Sequence, residues 1–143
     1  MEYILSKEQV EEMILKKVWE IRKETLIKIF KKYNIKYDYK KTSHELKKEF
    51  LNNYANDLDM LEVYREFKKH DDFGLLPSQL MEILNISPYY KKKLELNGFL
   101  KVMYYRDYNI EGKTKPIAFY DIEFLNTITF DDLEKAKKIK VKK

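Results

Sequence analysis

Between Ser87 and Lys93 the chain reads Ser-Pro-Tyr-Tyr-Lys-Lys-Lys. These residue types suit the chemistry of holding phosphate. Lysine ammonium groups neutralise phosphate charge, and Tyr89 can hydrogen-bond a phosphate oxygen or pack on a sugar or base. The first turn of a helix adds unpaired N–H groups and a favourable field for an anion. Ser87, Pro88, Tyr89, Lys91, Lys92 and Lys93 are therefore the first candidate binding residues. A second basic group, Arg106, Lys113 and Lys115, surrounds Gly112. Each set has a plainer reading. Lysine is abundant throughout this chain, so the triplet also fits a solvated helix face, and the second group fits a hairpin kept soluble by charge.

Other chemistry finds little support. With no cysteine in the chain, disulfides, thiolate metal sites and cysteine nucleophiles are excluded. The three glycines are scattered, whereas a phosphate loop or dinucleotide fingerprint needs several close together. His44 and His70 have no metal-ligand spacing and no nearby nucleophile, and His70-Asp71-Asp72 reads as a helix ending in a turn. Carboxylates are plentiful but dispersed, so no catalytic pair can be singled out. The expectation is a protein that is not an enzyme and uses no cofactor or metal.

The net charge of +5 is unevenly placed. The excess of base gathers after Ser87 and at the extreme C-terminus, where the six last basic residues are lysines from Lys135 onward. No apolar run is long enough for a bilayer, and the N-terminus lacks the basic and apolar segments of a signal peptide. A soluble, cytoplasmic protein is expected, without a membrane partner.

The elements that must carry these residues follow from periodicity and capping. Ser6 with Gln9 makes a capping box, and apolar residues recur from Val10 through Ile14, Val18, Ile21, Thr25 and Ile29 to Tyr33, predicting one long helix over 6–33. Trp19 lies just off that stripe. Thr42 with Glu45 opens a second helix, expected to run to His70 along Leu46, Phe50, Tyr54, Leu58, Leu61 and Tyr64 or Arg65. Pro77 suits the first turn of a short helix, and Asn85 can take the left-handed conformation that ends it. Ser87 and Pro88 start another, which Asn97-Gly98 ends. From Phe99 the pattern turns to strand formers, and 99–105 with 117–120 predict a β-hairpin around Asn109, Glu111 and Gly112. Thr129, with Asp131 and Asp132, caps a last lysine-rich helix.

Helix, tight turn, helix and then a hairpin is the order of a winged helix-turn-helix. The short second helix between Ser87 and Gly98, the strand Phe-Leu-Lys-Val-Met-Tyr-Tyr after it, and Ile-Ala-Phe-Tyr-Asp-Ile-Glu-Phe-Leu over 117–125 resemble the MerR-type and phage-excisionase branch of that family. The resemblance covers Leu75 to about Leu125, a third of the chain. It departs from the pattern at Leu76, where the family has a capping Ser or Thr, at Lys91, where it has an apolar residue, and in a longer wing. Residues 1–70 resemble no family.

The expected fold is mainly α with a small β-hairpin: a two-helix N-terminal region over 1–72, a winged helix-turn-helix over 73–125, and a C-terminal helix and basic tail over 126–143. The resemblance implies double-stranded DNA as partner, with helix 88–96 in the major groove and the wing on an adjacent groove or the backbone. The role would be transcription regulation, or architecture or segregation in a phage or plasmid. The long N-terminal helices could form a homodimer. The alternative is a protein-binding inhibitor or adaptor on the same scaffold, which would expose an aromatic patch instead. RNA binding has no signature here.

Overall fold

The computed structural model describes residues 2–140, so the last three residues of the basic tail lie outside the described residues. The chain is mainly helical, with one two-stranded antiparallel sheet. It divides into two compact units: Glu8–Phe73, and Met1–Lys7 with Gly74–Lys143. The boundary near 73 is where the sequence changes character. The first seven residues, however, belong with the C-terminal unit, and 126–140 is part of that unit rather than a separate tail.

The first unit is built from α1 (Lys7–Lys17), α2 (Lys23–Lys32), α3 (Ser43–Glu49) and α4 (Met60–Lys69). The expected single helix over 6–33 is broken. A 3-10 turn, Val18–Glu20, follows α1, and Ile21 and Arg22 are extended. No glycine or proline marks the break. Its cause is tertiary: the buried Asp72 carboxylate accepts the Arg22 N–H at 2.6 Å, and Lys47 Nζ donates to the Trp19 carbonyl at 2.8 Å. Both backbone groups orphaned by the break thus gain charged partners. Arg22 Nε also lies 3.3 Å from Asp72 Oδ1. Lys47 is itself buried, and that burial lowers its pKa.

The predicted helix over 42–70 is broken as well. The capping box at its start is present, with Thr42 Oγ1 accepting the Glu45 N–H at 3.1 Å. A π-turn segment, Phe50–Tyr54, and a 3-10 turn, Ala55–Asp57, then shift the helical phase before Asp59 caps α4. The expected Tyr64 is buried, but Leu58 and Leu61 are only half-buried, and Met60, Val63 and Phe67 join Tyr64 in the core instead. The predicted stripe from Val10 to Ile29 is buried within the single chain, so no second copy is needed to cover it. Trp19 is exposed, its ring 5.0 Å from that of His44.

The second unit contains α5 (Pro77–Leu84), α6 (Pro88–Leu96), β1 (Tyr104–Ile110), β2 (Lys113–Phe119) and α7 (Phe130–Lys137). β1 starts later than the expected Phe99, because the Phe99 and Leu100 N–H groups both turn back to the Leu94 carbonyl at the end of α6. Leu75 bridges Tyr120 with reciprocal bonds of 2.8 and 2.9 Å. This approach needs Gly74, where a Cβ would come within 3.0 Å of Met103 Cε and the Tyr120 carbonyl. The N-terminal residues join through Ile4 and Leu5, whose N–H groups donate to Ile128 and Leu125. No helix among the described residues is long and apolar enough to cross a membrane.

Candidate nucleic-acid interface

The turn between α5 and α6 is locally encoded. Pro77 and Pro88 each occupy a first turn, where a missing N–H costs nothing. Gln79 reaches back to accept the Leu76 N–H at 3.0 Å, taking the place of a side-chain cap at Leu76. Asn85 ends α5 at φ 52° and ψ 53°, the left-handed conformation Asn tolerates. Ser87 Oγ accepts the Tyr90 N–H at 3.3 Å. Gly98, at φ 84°, closes α6. Leu80, Leu84 and Leu94 are buried and fix the rotation of the two helices.

That rotation divides the lysine triplet. Lys91 faces inward: its Nζ lies 2.6 Å from Glu95 Oε1 and 5.3 Å from the centre of the Tyr120 ring. The Tyr120 hydroxyl donates to the same Glu95 oxygen at 2.7 Å. Burial alone would lower the Lys91 pKa, but its bonds to Glu95 and Tyr120 outweigh burial and hold it above the ordinary value. Burial, foremost, also raises the Tyr120 pKa. Lys93 donates to the Lys137 carbonyl at 2.5 Å, and Asn97 Nδ2 to the Ala136 carbonyl at 2.8 Å, so both satisfy the C-terminus of α7. Lys92 alone of the three is exposed and without an ionic partner among the described residues. The outward stripe of α6 is therefore Tyr89, Lys92 and Leu96, with Tyr89 70% and Leu96 63% exposed. Pro88 and Ser87 are exposed at its N-terminal end.

The hairpin turns through Glu111 and Gly112, at φ 51° and 79°. Two consecutive positive φ values match the right-handed twist of a two-residue hairpin. The register pairs Arg106 with Ile117, Tyr108 with Lys115 and Ile110 with Lys113. Directly opposed residues share a face, and alternate residues along a strand return to it. Arg106, Lys113 and Lys115 therefore lie on one face, with Tyr108 and Ile110. The opposite face holds Tyr105, Asp107, Asn109, Thr114, Pro116 and Ala118, with one acid and no base. Tyr104 and Phe119 anchor the basic face at its root, stacked at 4.8 Å and nearly parallel. The Arg106 guanidinium sits 5.8 Å from the Phe119 ring, which positions that cation. Lys113 and Lys115 are exposed, with no ionic partner among the described residues.

No group of three or more potential metal ligands occurs among the described residues. Nδ1 of His70 is 3.4 Å from Lys28 Nζ. The C-terminal anchoring by Lys93 and Asn97 was missed in sequence, since neither residue signals a partner forty positions away. The Lys91–Glu95 pair was missed as well, although its i, i+4 spacing is a signal for it. Searches against family models, curated proteins and solved structures find no match to this chain.

Proposed function

We propose that the protein binds double-stranded DNA as a winged helix-turn-helix. The observation that carries this reading is the segregation of Arg106, Lys113 and Lys115 onto one face of an exposed β-ribbon, with Tyr108 among them. A ribbon of seven residues per strand is roughly 20 Å long at the usual rise and can follow a groove or the backbone beside it. On α6, Tyr89 and Lys92 are the side chains free to approach DNA, next to the N-terminal N–H groups. Lys91 and Lys93 act indirectly, by holding α6 against Tyr120 and α7. Transcription regulation, or an architectural or segregation role, is the biological setting in which such a module works.

The test is fluorescence anisotropy with pooled AT-rich duplexes at two salt concentrations, comparing the parent with Lys113→Glu/Lys115→Glu. Salt-sensitive binding that the double change weakens supports the reading. Binding that is absent at low salt, or indifferent to the change, rejects it.

One observation favours a second reading, a protein partner. The α6 stripe is largely apolar, and Tyr105, 63% exposed, lies on the face of the hairpin that carries no base. Aromatic residues exposed in this way are common anchors in protein interfaces. A partner held there would be lost on Tyr89→Ser/Leu96→Ser and retained after the lysine changes.

A further inference from the structure

The connection between α6 and β1 borders a cleft of about 510 Å³, lined by Leu80, Phe99, Val102, Met103, Phe124 and residues beside them. This volume lies within the range of small-molecule sites, which are mostly apolar with a few placed polar groups. The cleft lies within the C-terminal unit. Phe99 and Phe124 meet edge to face at 5.7 Å, and the Met103 thioether belongs to the same wall. Such a wall suits a flat aromatic ring.

The polar groups of the lining are unevenly committed. Asp121 Oδ1 accepts the Glu123 N–H at 3.0 Å. The Tyr120 hydroxyl is given to Glu95. Lys101, by contrast, is exposed and has no ionic partner among the described residues, and the backbone N–H groups of Lys101 and Val102 donate to none of them. The neighbouring amides are all used: Phe99 and Leu100 bond Leu94, and Met103 bonds Phe119. Lys101 and Val102 thus bring to the lining a cation and two amide N–H groups that no other described residue engages, while the Asp121 carboxylate in the same lining is occupied by the Glu123 N–H. Donors of this kind complement an anion.

We propose that this cleft binds a small aromatic monocarboxylate, with its ring against the wall of Phe99, Phe124 and Met103 and its carboxylate at Lys101 and Val102. The site is separate from the DNA-binding reading and stands or falls independently of it.

The test is isothermal titration of the full chain with 1-naphthoate, beside 1-naphthalenemethanol and 1-naphthylmethylamine as neutral and cationic controls. A Lys101→Ala variant accompanies them; the residue is exposed, so the variant should fold, and its melting temperature verifies this. Saturable 1:1 binding of naphthoate is expected, at least tenfold tighter than that of the amine and severalfold weaker in Lys101→Ala. A second variant, Val102→Pro, removes one donor and should weaken naphthoate more than the alcohol. No binding at millimolar naphthoate overturns the proposal. Equal binding of all three compounds overturns it too, since the cleft would then be an unselective apolar surface. Binding unchanged in Lys101→Ala would place the carboxylate elsewhere and has the same consequence.

Discussion

Lys91 and Tyr120 meet on a single carboxylate oxygen of Glu95, the ammonium at 2.6 Å and the hydroxyl at 2.7 Å. The arrangement ties α6 to the residue that ends the hairpin and bridges Leu75. Lys91→Ala should therefore act on stability. A loss of about 1 kcal/mol is expected for a charge-assisted pair of this kind, a fall of roughly 3 °C in Tm for a chain of this size. Lys92→Ala should leave Tm within about 1.5 °C, by the usual behaviour of exposed positions. Thermal melts of the two variants decide between a structural and a solvent-facing role for each lysine.

The hairpin should behave as the principal cationic element toward DNA. Each phosphate contact contributes about one unit to the slope of log K against log salt. Lys113→Ala/Lys115→Ala should then lower that slope by about 2. Circular dichroism should be unchanged, because both side chains are exposed and neither takes part in the ladder's backbone bonds. An unchanged slope would move the binding face elsewhere.

Glu66 gives a pH dependence. Its carboxylate bonds Lys32 at 2.6 Å and Lys69 at 2.7 Å, and these bonds hold its pKa below the ordinary carboxylate value. A depressed folded-state pKa contributes stability that is fully present above the unfolded value and is lost as pH falls through the folded value. Glu66→Gln should accordingly be less stable than the parent at pH 7. The gap should close as pH falls below 4.5 toward the folded-state value. Paired melts from pH 7 to pH 3 read this directly; a gap that stays constant would assign the effect to packing.

Asp72 is fully buried and accepts from Arg22 across fifty residues. Asp72→Ala leaves the Arg22 amide without its acceptor and the guanidinium without its counter-charge. A cost of about 2–3 kcal/mol is expected from denaturant unfolding. Asp72→Asn keeps an acceptor oxygen and should recover part of that loss. If Asn and Ala are equally destabilising, charge rather than the amide bond dominates.

The hairpin turn offers a fifth test. Glu111 occupies a left-handed conformation that Asn tolerates better than Glu. Glu111→Asn should slow amide exchange along β1 and β2, while Gly112→Ala should speed it, costing about 1 kcal/mol through strain at positive φ.

These features differ in how far they could be read from sequence. The capping box at Thr42, the left-handed Asn85, the Ser87–Pro88 start and the Gly98 stop were all legible, because each depends on bonds between residues a few positions apart. The breaks at Ile21–Arg22 and after Phe50 were not. Their causes are Asp72 and Lys47, whose partners are distant in the chain, and a π-turn that moves the buried face by a fraction of a turn. The hairpin and its basic residues were legible. Their segregation to one face was not, since it depends on register, and one residue of slip would send Lys113 and Lys115 together to the face opposite Arg106. The lysine triplet shows the converse limit: three identical neighbours point in three directions around a helix, so they serve three different ends.

A two-stranded ribbon consists entirely of edges. Beyond Tyr104 and Phe119 the strands run in solvent, with β-branched and aromatic residues between the charges. Such an element is a ready template for foreign strands, and fibril formation begins on templates of this kind. Pro116 interrupts the donors along β2, and the like charges of Arg106, Lys113 and Lys115 repel a second copy laid on the same face. The cations that suit a polyanion thus also keep the free protein dispersed. Neutralising them, by acetylation or by substitution with small apolar residues, would remove a solubility safeguard together with the proposed contact surface.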